Sequence, residues 1–346
     1  RWGPFTVASA DRNFVGGWAA WNFSGYESRP AFPTLNSLIE TMVSVGQEYG
    51  CGRALWEYDR DELGSYGTPM APMLLPYWTD GCIGSMEGLY FESSSTVPFH
   101  FLMQSELSAN PSRPMRGLAY RGLDLDNGTR HLQMSGVRYY MAFSERAVGD
   151  ARRFPDRLEL VARSDPWSVY RVLDADLVEG LAYEPNVSKD RLTGGRSWTD
   201  PSTEWFNDPT RWEVLVTSDG PSHWNRIDVL KNMSTSRSTF SSSLEQPLAA
   251  VSVTEIVDEG QRISFTVDQV GIPVVVKTSY FPNWSSKGAL GPYHATPNWM
   301  IVVPTEHEVV LEYGATWVEY LGWIITVIGA GSLVAVTRGK RRKAPR

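Results

Sequence analysis

Hydrophobic residues between positions 34 and 50 recur at the three- and four-residue intervals of a helix. The segment TLNSLIETMVSVGQEYG places most of its apolar side chains on one helical face, namely Leu35, Leu38, Ile39, Met42, Val43 and Val45. Thr34 or Asn36 is expected to cap this helix, and Gly50 is expected to end it. The GRALWEY stretch that follows, residues 52–58, is typical of a strand.

Residues 124–143 repeat this change from helix to strand. The DLDNGT stretch at 124–129 resembles half of a calcium-binding loop but lacks the closing Glu, so a hairpin turn explains it better. A short helix over 129–134 and a buried strand over 137–143 are predicted to follow. These elements together predict a mixed α/β domain over residues 1–150.

From about residue 158 the pattern changes to short β-branched segments that often alternate between apolar and polar positions. They are LELVARS, WSVYRVLD, RWEVLVTS, AAVSVTEIVDEGQRISFTVDQ, IPVVVKTSYF, NWMIVVPT and HEVVLEYG. Turn residues separate them, which is typical of an antiparallel β-sandwich. We therefore predict an α+β protein whose second domain, residues 151–316, is a sandwich with an irregular insertion or exposed loop at 186–211.

The end of the chain is apolar and then basic. The 18 residues from Tyr320 to Thr337 carry no charge, about the minimum needed to cross a bilayer as a helix. The aromatic residues Trp317, Tyr320 and Trp323 gather at its leading end, and six cations without an acidic residue follow it. We predict a transmembrane helix over 317–337 and a basic cytoplasmic tail over 338–346. The alternative is a buried core helix with a disordered basic tail.

The charge distribution narrows the possible partners. Without those six cations the chain has 26 Lys and Arg against 39 Asp and Glu, a formal charge of −13. Such an acidic body does not favour nonspecific nucleic-acid binding. The expected partner is the lipid bilayer, because of the apolar span near the end of the chain. Residues 1–316 are then expected to be extracytoplasmic at the cell membrane. Because no export signal precedes them here, we expect a C-terminal portion of a longer membrane protein, with its upstream transmembrane region as a further partner.

The chain has two cysteines, Cys51 and Cys82. An even number of cysteines outside the cell indicates a disulfide, which here would close a loop of about 30 residues and stabilise the fold by roughly 3 kcal/mol. The alternative is two unrelated buried thiols.

The stretch 274–314, VVVKTSYFPNWSSKGALGPYHATPNWMIVVPTEHEVVLEYG, followed by one helix, resembles the C-terminal end of YfhO-like membrane proteins. These are large multi-pass relatives of GT-C-type glycosyltransferases, which use lipid-linked sugars. The first half contains GCGRALWEY, APMLLPYWTDGCIGSMEGLYFESSSTVPFHF and GVRYYMAFS. It resembles actinobacterial proteins of the same sort, often labelled membrane proteins related to 6-pyruvoyl-tetrahydropterin synthase.

This resemblance carries no catalytic residue over to the chain. Pterin synthases hold a zinc ion with three histidines, whereas none of the five histidines here, which include His131 and His307, is at metal-ligand spacing from another. We therefore expect no metal site and no cofactor. In GT-C enzymes the acidic catalytic residue lies in an outer loop near the N-terminal spans. What the resemblance implies for this chain is an extracytoplasmic region that binds a glycan or supports the membrane core.

Carboxylates and aromatic residues are interleaved most densely over residues 56–100. Because sugars stack on aromatic rings and their hydroxyl groups donate bidentate hydrogen bonds to carboxylates, this stretch is the predicted glycan site. The candidate residues are Trp56, Glu57, Tyr77, Trp78, Asp80, Glu87 and His100. Two alternatives remain: a solvated acidic turn at 59–62 beside an aromatic core, and a carboxylate pair that cleaves glycosides.

The function expected from these observations is binding or positioning of a polyprenyl-linked sugar or an envelope glycan. The region would belong to a glycosyltransferase-like membrane protein and would not be catalytic alone. The alternatives are a non-enzymatic envelope assembly or adhesion protein and, third, a surface glycoside hydrolase. Whether the chain is an enzyme is left open by the sequence.

Overall fold

The computed structural model describes residues 25–86, 95–190, 192, 195–229 and 245–342, the last six of these for the backbone only. The chain divides into two compact units, residues 1–177 and 178–346. Among the residues just named, the first unit contains helices and one mixed sheet, and the second contains two mostly antiparallel sheets and a long C-terminal helix, so the fold is α+β.

The first unit places its helices around one five-stranded sheet. Its helices are α1 (Phe32–Tyr49), α2 (Arg60–Gly64), α3 (Leu75–Trp78), α4 (Val97–Leu107), α5 (Leu125–Met134) and α6 (Glu145–Ala151), with a 3₁₀ turn at Ala71–Leu74. Its strands are β1 (Gly52–Trp56), β2 (Ile83–Ser85), β3 (Val137–Ala142), β4 (Leu158–Ser164) and β5 (Trp167–Val172).

The sheet of the first unit has the strand order β2-β1-β3-β5-β4. Strands β2, β1 and β3 are parallel, whereas β5 runs antiparallel to both β3 and β4. The apolar face of α1 packs into the same core as the middle of the sheet, where Trp56, Tyr139 and Trp167 are buried. The predicted helix, the predicted strand at GRALWEY and the predicted strand over 137–143 are therefore confirmed.

The predicted caps of α1 were half right. Gly50 ends the helix with φ 93°, a left-handed conformation that glycine adopts without a steric penalty. The start is not capped by Thr34 or Asn36. The helix begins at Phe32 and carries Pro33 in its first turn, where a missing backbone N–H costs nothing.

The predicted turn at 124–129 is wrong, because these residues begin α5. The side chain of Asp124 accepts a hydrogen bond from the backbone N–H of Asn127 at 3.3 Å and so caps the helix. Arg157 holds Asp126 in the first turn with an Nη2–Oδ1 distance of 2.8 Å. This guanidinium lowers the pKa of the Asp126 carboxyl.

In its described residues, the second unit contains two sheets and two α-helices. Its shorter elements are β6 (Val178–Gly180), β7 (Asn186–Ser188), α7 (Arg196–Asn207), a 3₁₀ turn at Pro209–Arg211, β8 (Val216–Thr217) and β9 (Arg226–Ile227). Its other strands are β10 (Val253–Asp258), β11 (Arg262–Val267), β12 (Val274–Val276), β13 (Trp284–Lys287), β14 (Ala289–Ala295), β15 (Trp299–Pro304) and β16 (Glu308–Tyr313).

The two sheets of this unit have the orders β10-β11-β16-β13 and β6-β12-β15-β14-β8-β7-β9. All neighbouring strands in the described part are antiparallel except β7, which runs parallel to β8 and β9. The predicted strand content of 158–314 is thus present. However, β5 pairs with β3 and β4 pairs with β5, so both strands belong to the first sheet, and the structural division at 177 lies later than the predicted boundary at 150.

The segment 186–211 is not an exposed loop in its described part. It contains strand β7 and helix α7, and Trp198, Trp205 and Phe206 of this helix are buried. The indole Nε1 of Trp198 donates to the carbonyl oxygen of Pro297 at 2.8 Å. The buried residues of this helix recur at helical intervals, at positions 198, 201, 202, 205 and 206, so the prediction of a loop overlooked an amphipathic helix among many polar residues.

The C-terminal helix α8 (Trp317–Arg342) is long and apolar enough, over Trp317–Val336, to cross a membrane. No residue of that window is buried against the part of the chain that the structure describes. Twenty residues at 1.5 Å per residue span about 30 Å, the thickness of a bilayer's hydrocarbon core. The alternative of a buried core helix is therefore wrong.

Candidate functional site

A disulfide between Cys51 and Cys82 joins the start of β1 to the start of β2 in the first unit, as predicted. The Cα atoms of the two cysteines lie 4.6 Å apart. Beside the bridge, the backbone N–H of Gly52 donates to the carbonyl oxygen of Cys82 at 3.0 Å. The disulfide therefore fastens the segment that precedes β2, residues 75–82, to the edge of the sheet.

Hydrogen bonds within residues 75–82 hold this segment in one conformation. The buried hydroxyl of Thr79 donates to the carbonyl oxygen of Leu75 at 2.7 Å and accepts from the N–H of Ile83 at 3.0 Å. The N–H of Gly81 donates to the carbonyl oxygen of Pro76 at 2.8 Å. Because backbone and side chain are both tied, exposed residues of the segment are presented in a fixed arrangement.

Three predicted glycan-binding residues, Tyr77, Trp78 and Asp80, lie on this segment and are called the Tyr77 surface below. The ring of Tyr77 is 78% exposed. The ring of Trp78 is half-buried and meets Tyr26 edge to face, with centroids 5.7 Å apart. Asp80 is exposed and has φ 50°, a left-handed conformation that Asp tolerates better than most residues. The Tyr77 surface thus presents an exposed aromatic ring and, three residues later in the sequence, an exposed carboxylate.

The structure does not bring the other described candidates to this surface. Trp56, Glu57 and His100 are all buried. Their side chains are not offered to a glycan in this structure, which corrects the prediction for these three residues. Glu87 lies outside the described residues.

Glu57 follows β1 and its carboxylate is used by the backbone. Oxygen Oε2 accepts from the N–H groups of Phe143 at 2.9 Å and Ser144 at 2.8 Å, where β3 ends and α6 begins. Oxygen Oε1 accepts from the N–H of Ala109 at 3.2 Å, just after α4. One buried carboxylate therefore holds the ends of three elements together.

The acidic turn at 59–62 is also structural. Asp59 caps α2, with Oδ1 accepting from the N–H groups of Asp61 at 2.8 Å and Glu62 at 3.2 Å. Its Oδ2 accepts from Asn110 Nδ2 at 2.8 Å. The hydrogen bonds from Asn110 and from the two backbone amides lower the pKa of the Asp59 carboxyl, although burial acts in the opposite direction. The alternative of a solvated acidic turn describes these residues better than a role in sugar cleavage.

A buried acid–histidine pair in the first unit was missed by the sequence analysis. Glu106 Oε2 and His131 Nδ1 lie 2.6 Å apart, and both side chains are buried between α4 and α5. Arg121 Nη1 approaches Glu106 Oε1 at 3.6 Å and also lines an open groove of about 410 Å³. A helix that is buried on every side, as α4 is, has no polar face in its sequence that could have revealed this pair.

An aromatic stack around a histidine lies in the second unit and was also missed. The ring of His294 is stacked between Trp198, at 3.6 Å between centroids, and Tyr280, at 4.4 Å. Its Nε2 lies 2.8 Å from Oδ1 of Asn298. Burial lowers the pKa of His294 to about 4, against the opposing effect of the hydrogen bond with Asn298. This histidine is neutral at physiological pH, and its ring packs between two aromatic side chains.

The stack has a measurable consequence for stability. The unfolded chain binds a proton at His294 below about pH 6.5, whereas the folded chain does so only below about pH 4, so stability falls as the pH drops through this window. We expect His294→Gln, which keeps a partner for Asn298, to remove up to about 3 kcal/mol of this pH dependence. Urea unfolding of the full chain in detergent at pH 4 and pH 7 measures it. His223→Gln, at an exposed position, is the control, and an unchanged slope in His294→Gln would contradict the assignment.

Comparison of the chain with protein-family models, with curated proteins and with solved structures finds no match. The geometry of the described residues therefore decides between the candidate sites. Of these, the Tyr77 surface presents its aromatic side chain to solvent, whereas the Glu57, Glu106–His131 and His294 arrangements are largely buried.

Proposed function

We propose that the chain is an extracytoplasmic, membrane-anchored module that binds or positions a glycan at the cell envelope. In this proposal it serves a glycosyltransferase-like membrane protein that uses polyprenyl-phosphate sugars, and it is not catalytic alone. The observation that carries the glycan-binding role is the Tyr77 surface, where an open ring stands in a rigid, disulfide-fastened segment beside Trp78 and Asp80. The glycosyltransferase context is supported only by the resemblance noted above.

The location follows from two independent features. The disulfide favours an oxidising compartment, since intracellular thiols are kept reduced. The span of α8 is followed by a basic segment, which the positive-inside rule places in the cytoplasm. In this proposal, a crossing by α8 leaves residues 1–316 on the outer side of the cell membrane.

The chemistry of the Tyr77 surface suits a sugar. The C–H face of a pyranose stacks on an open aromatic ring, and a carboxylate binds two vicinal hydroxyl groups. Asp80 follows Tyr77 by three residues, and the hydrogen bond from the N–H of Gly81 to the carbonyl oxygen of Pro76 closes the turn that contains both. A hydrolytic role receives less support, because the carboxylate of Glu57 accepts from backbone amides and that of Asp59 accepts from backbone amides and from the side chain of Asn110.

We also propose that the two sheets of the second unit pack on each other as the predicted sandwich, which continues into the membrane helix α8. Strands β11 and β16 bury alternate residues, among them Ile263, Phe265, Val309 and Leu311. One face of the four-stranded sheet therefore needs a cover. Strands β12 and β15 of the other sheet are buried along their whole length, which supports packing of one sheet on the other.

Glycan binding is tested by removing the open ring. We expect Tyr77→Ala to leave the fold intact, because the side chain is mostly exposed, and to weaken glycan binding about tenfold, the effect of losing about 1.4 kcal/mol of stacking. The measurement is calorimetry of the full chain in detergent against a panel of gluco-, manno-, galacto-, arabino- and N-acetylglucosamine oligosaccharides.

Phe281→Ala is the matched control, since this ring is also exposed but lies in the second unit. Unchanged affinity in Tyr77→Ala would contradict the assigned surface. If the wild-type chain binds none of the panel, the role in envelope assembly or adhesion replaces glycan binding. Release of reducing ends from any oligosaccharide would instead favour the hydrolase.

A further inference from the structure

The end of the four-stranded sheet from which the chain passes into α8 is built from three strand ends. Tyr313, the last residue of β16, lies opposite Trp284, the first residue of β13. On the other side of β16, Glu312 lies opposite Arg262, and the N–H of Tyr313 donates to the carbonyl oxygen of Gln261 at 2.8 Å. Residues 281–284 and the β10–β11 turn therefore lie at the same end of the sheet as the start of α8.

Hydrogen bonds fix the start of α8 to this sheet end. Asn283 Nδ2 donates to the carbonyl oxygen of Gly314 at 2.8 Å and to Glu319 Oε1 at 3.1 Å, so these two oxygens lie within about 6 Å of each other. The N–H of Gly314 donates back to the carbonyl oxygen of Asn283 at 3.0 Å. The second oxygen of Glu319 accepts from the N–H of Thr316 at 2.8 Å in a capping box.

Large aromatic side chains are exposed at the same end. Phe281 is 52% and Tyr313 is 37% exposed, and their ring centroids lie 6.2 Å apart. Trp317, in the first turn of α8, is 74% exposed. Tyr313 also meets Trp284 edge to face, with centroids 5.4 Å apart, which holds its ring in place.

The depth of this end follows from Glu319. A carboxylate that precedes an uncharged span stays at the level of the lipid headgroups, because burying it in hydrocarbon is costly. Gly314 is tied to within a few Å of that carboxylate, so Tyr313 and Phe281 lie near the headgroup level as well. Aromatic rings with one apolar face are the side chains that favour this layer.

We propose that this end of the sheet rests in the interfacial layer of the bilayer, with Phe281 and Tyr313 in contact with lipid. The hydrogen bonds of Asn283 then act as a fixed joint that sets the orientation of the second unit on the membrane. The inference rests on the proposed crossing of the membrane by α8. The charged residues next to Tyr313 fit the headgroup region because they are paired: Glu312 with Lys287 at 2.7 Å and with Arg262 at 4.0 Å.

A spin label at Phe281→Cys in the full chain tests the proposal in phosphatidylcholine–phosphatidylglycerol nanodiscs. The two native cysteines form the disulfide, so the introduced thiol is the one that reacts. The ratio of the label's accessibility to oxygen over its accessibility to a water-soluble nickel complex rises with depth in the bilayer. We expect this ratio at position 281 to be at least about threefold higher than at Val270→Cys, as interfacial aromatic positions should be.

Val270 is the matched control because it is exposed and lies beyond the opposite end of β11. The paired region from Arg262 to Thr266 alone separates the two ends by about 13 Å. Ala330→Cys, within α8, reports on the span itself. Combining Asn283→Ala with the label at 281 is expected to lower the ratio toward the control, because the joint between sheet and helix is then lost.

The outcomes separate the two proposals. If the ratio at position 281 equals that at 270 while the label at 330 lies deep, α8 crosses the membrane but the sheet end does not contact the interfacial layer, which overturns this proposal alone. A label at 281 shielded from both reagents shows that another protein segment covers the patch and also overturns this proposal. A shallow label at 330 overturns the membrane crossing, and with it the interfacial contact, while glycan binding at the Tyr77 surface is measured separately.

Discussion

Glu57→Ala is expected to lower the free energy of unfolding by about 4 kcal/mol, since hydrogen bonds to a charged acceptor contribute about 1.5–3 kcal/mol each and the donors left behind are desolvated. Its carboxylate accepts from Phe143, Ser144 and Ala109, which stand at the ends of three different elements. Removing it leaves these amides without an acceptor inside the first unit. Urea unfolding of the full chain in detergent, followed by tryptophan fluorescence, measures the change.

Glu57→Gln separates the hydrogen bonds from the charge. One amide oxygen can still accept from Phe143 and Ser144, but the NH₂ group then faces the N–H of Ala109, so we expect a loss of about 2 kcal/mol. Glu62→Ala is the control for removing a carboxylate, because that side chain is exposed on α2, and its effect should stay within about 0.5 kcal/mol. If Glu57→Ala lowers the free energy of unfolding no more than Glu62→Ala does, the hydrogen bonds of Glu57 do not stabilise the fold.

The Cys51→Ser/Cys82→Ser double variant is expected to lose about 3.5 kcal/mol, the loop-closure contribution for cysteines 31 residues apart. The loss arises mainly in the unfolded chain, which the bridge no longer constrains. Within the folded chain, the segment that carries Tyr77 is then held to the sheet edge by hydrogen bonds and by packing of Leu75 and Trp78 against the core, without a covalent link. Glycan affinity should fall in the same variant, since the surface is no longer fixed in advance.

Reduction of the wild-type chain provides the matched control for this variant. Dithiothreitol should lower the unfolding free energy of the wild-type chain to that of the double variant and leave the double variant unchanged. Equal stability of wild type and double variant under oxidising conditions would be inconsistent with a stabilising bridge.

The sequence predicted more candidate glycan-binding residues than the structure exposes. The interleaving of carboxylates and aromatic residues predicted a glycan site within residues 56–100, and three of its candidates, Tyr77, Trp78 and Asp80, lie on the segment 75–82. The same pattern included Trp56 and Glu57, which are buried. Apolar neighbours made Glu57 a favoured candidate for binding, yet those neighbours are the reason it lies in the interior, where backbone amides satisfy it.

The domain division shows the same limit. Strands β4 and β5 have the short, β-branched character of the strands that follow them, so composition grouped them with the second domain. Pairing of β5 with β3, and of β4 with β5, assigns them to the first sheet. Strand pairing is a choice between distant partners, and a strand's own residues carry little information about which partner it meets.

The sequence by itself determined what depends on near neighbours along the chain and on counts. The helical period of α1, its end at Gly50, the β11 and β16 strands, the cysteine pair and the long apolar helix α8 were all readable because each expresses a local periodicity or composition. Tertiary structure alone decided the burial of Glu57, the Glu106–His131 pair, the stack around His294 and the joint between Asn283 and Glu319. Each of these joins residues whose meeting depends on how the chain packs. The free energy of that packing is shared among many distant contacts, so no local pattern reveals it.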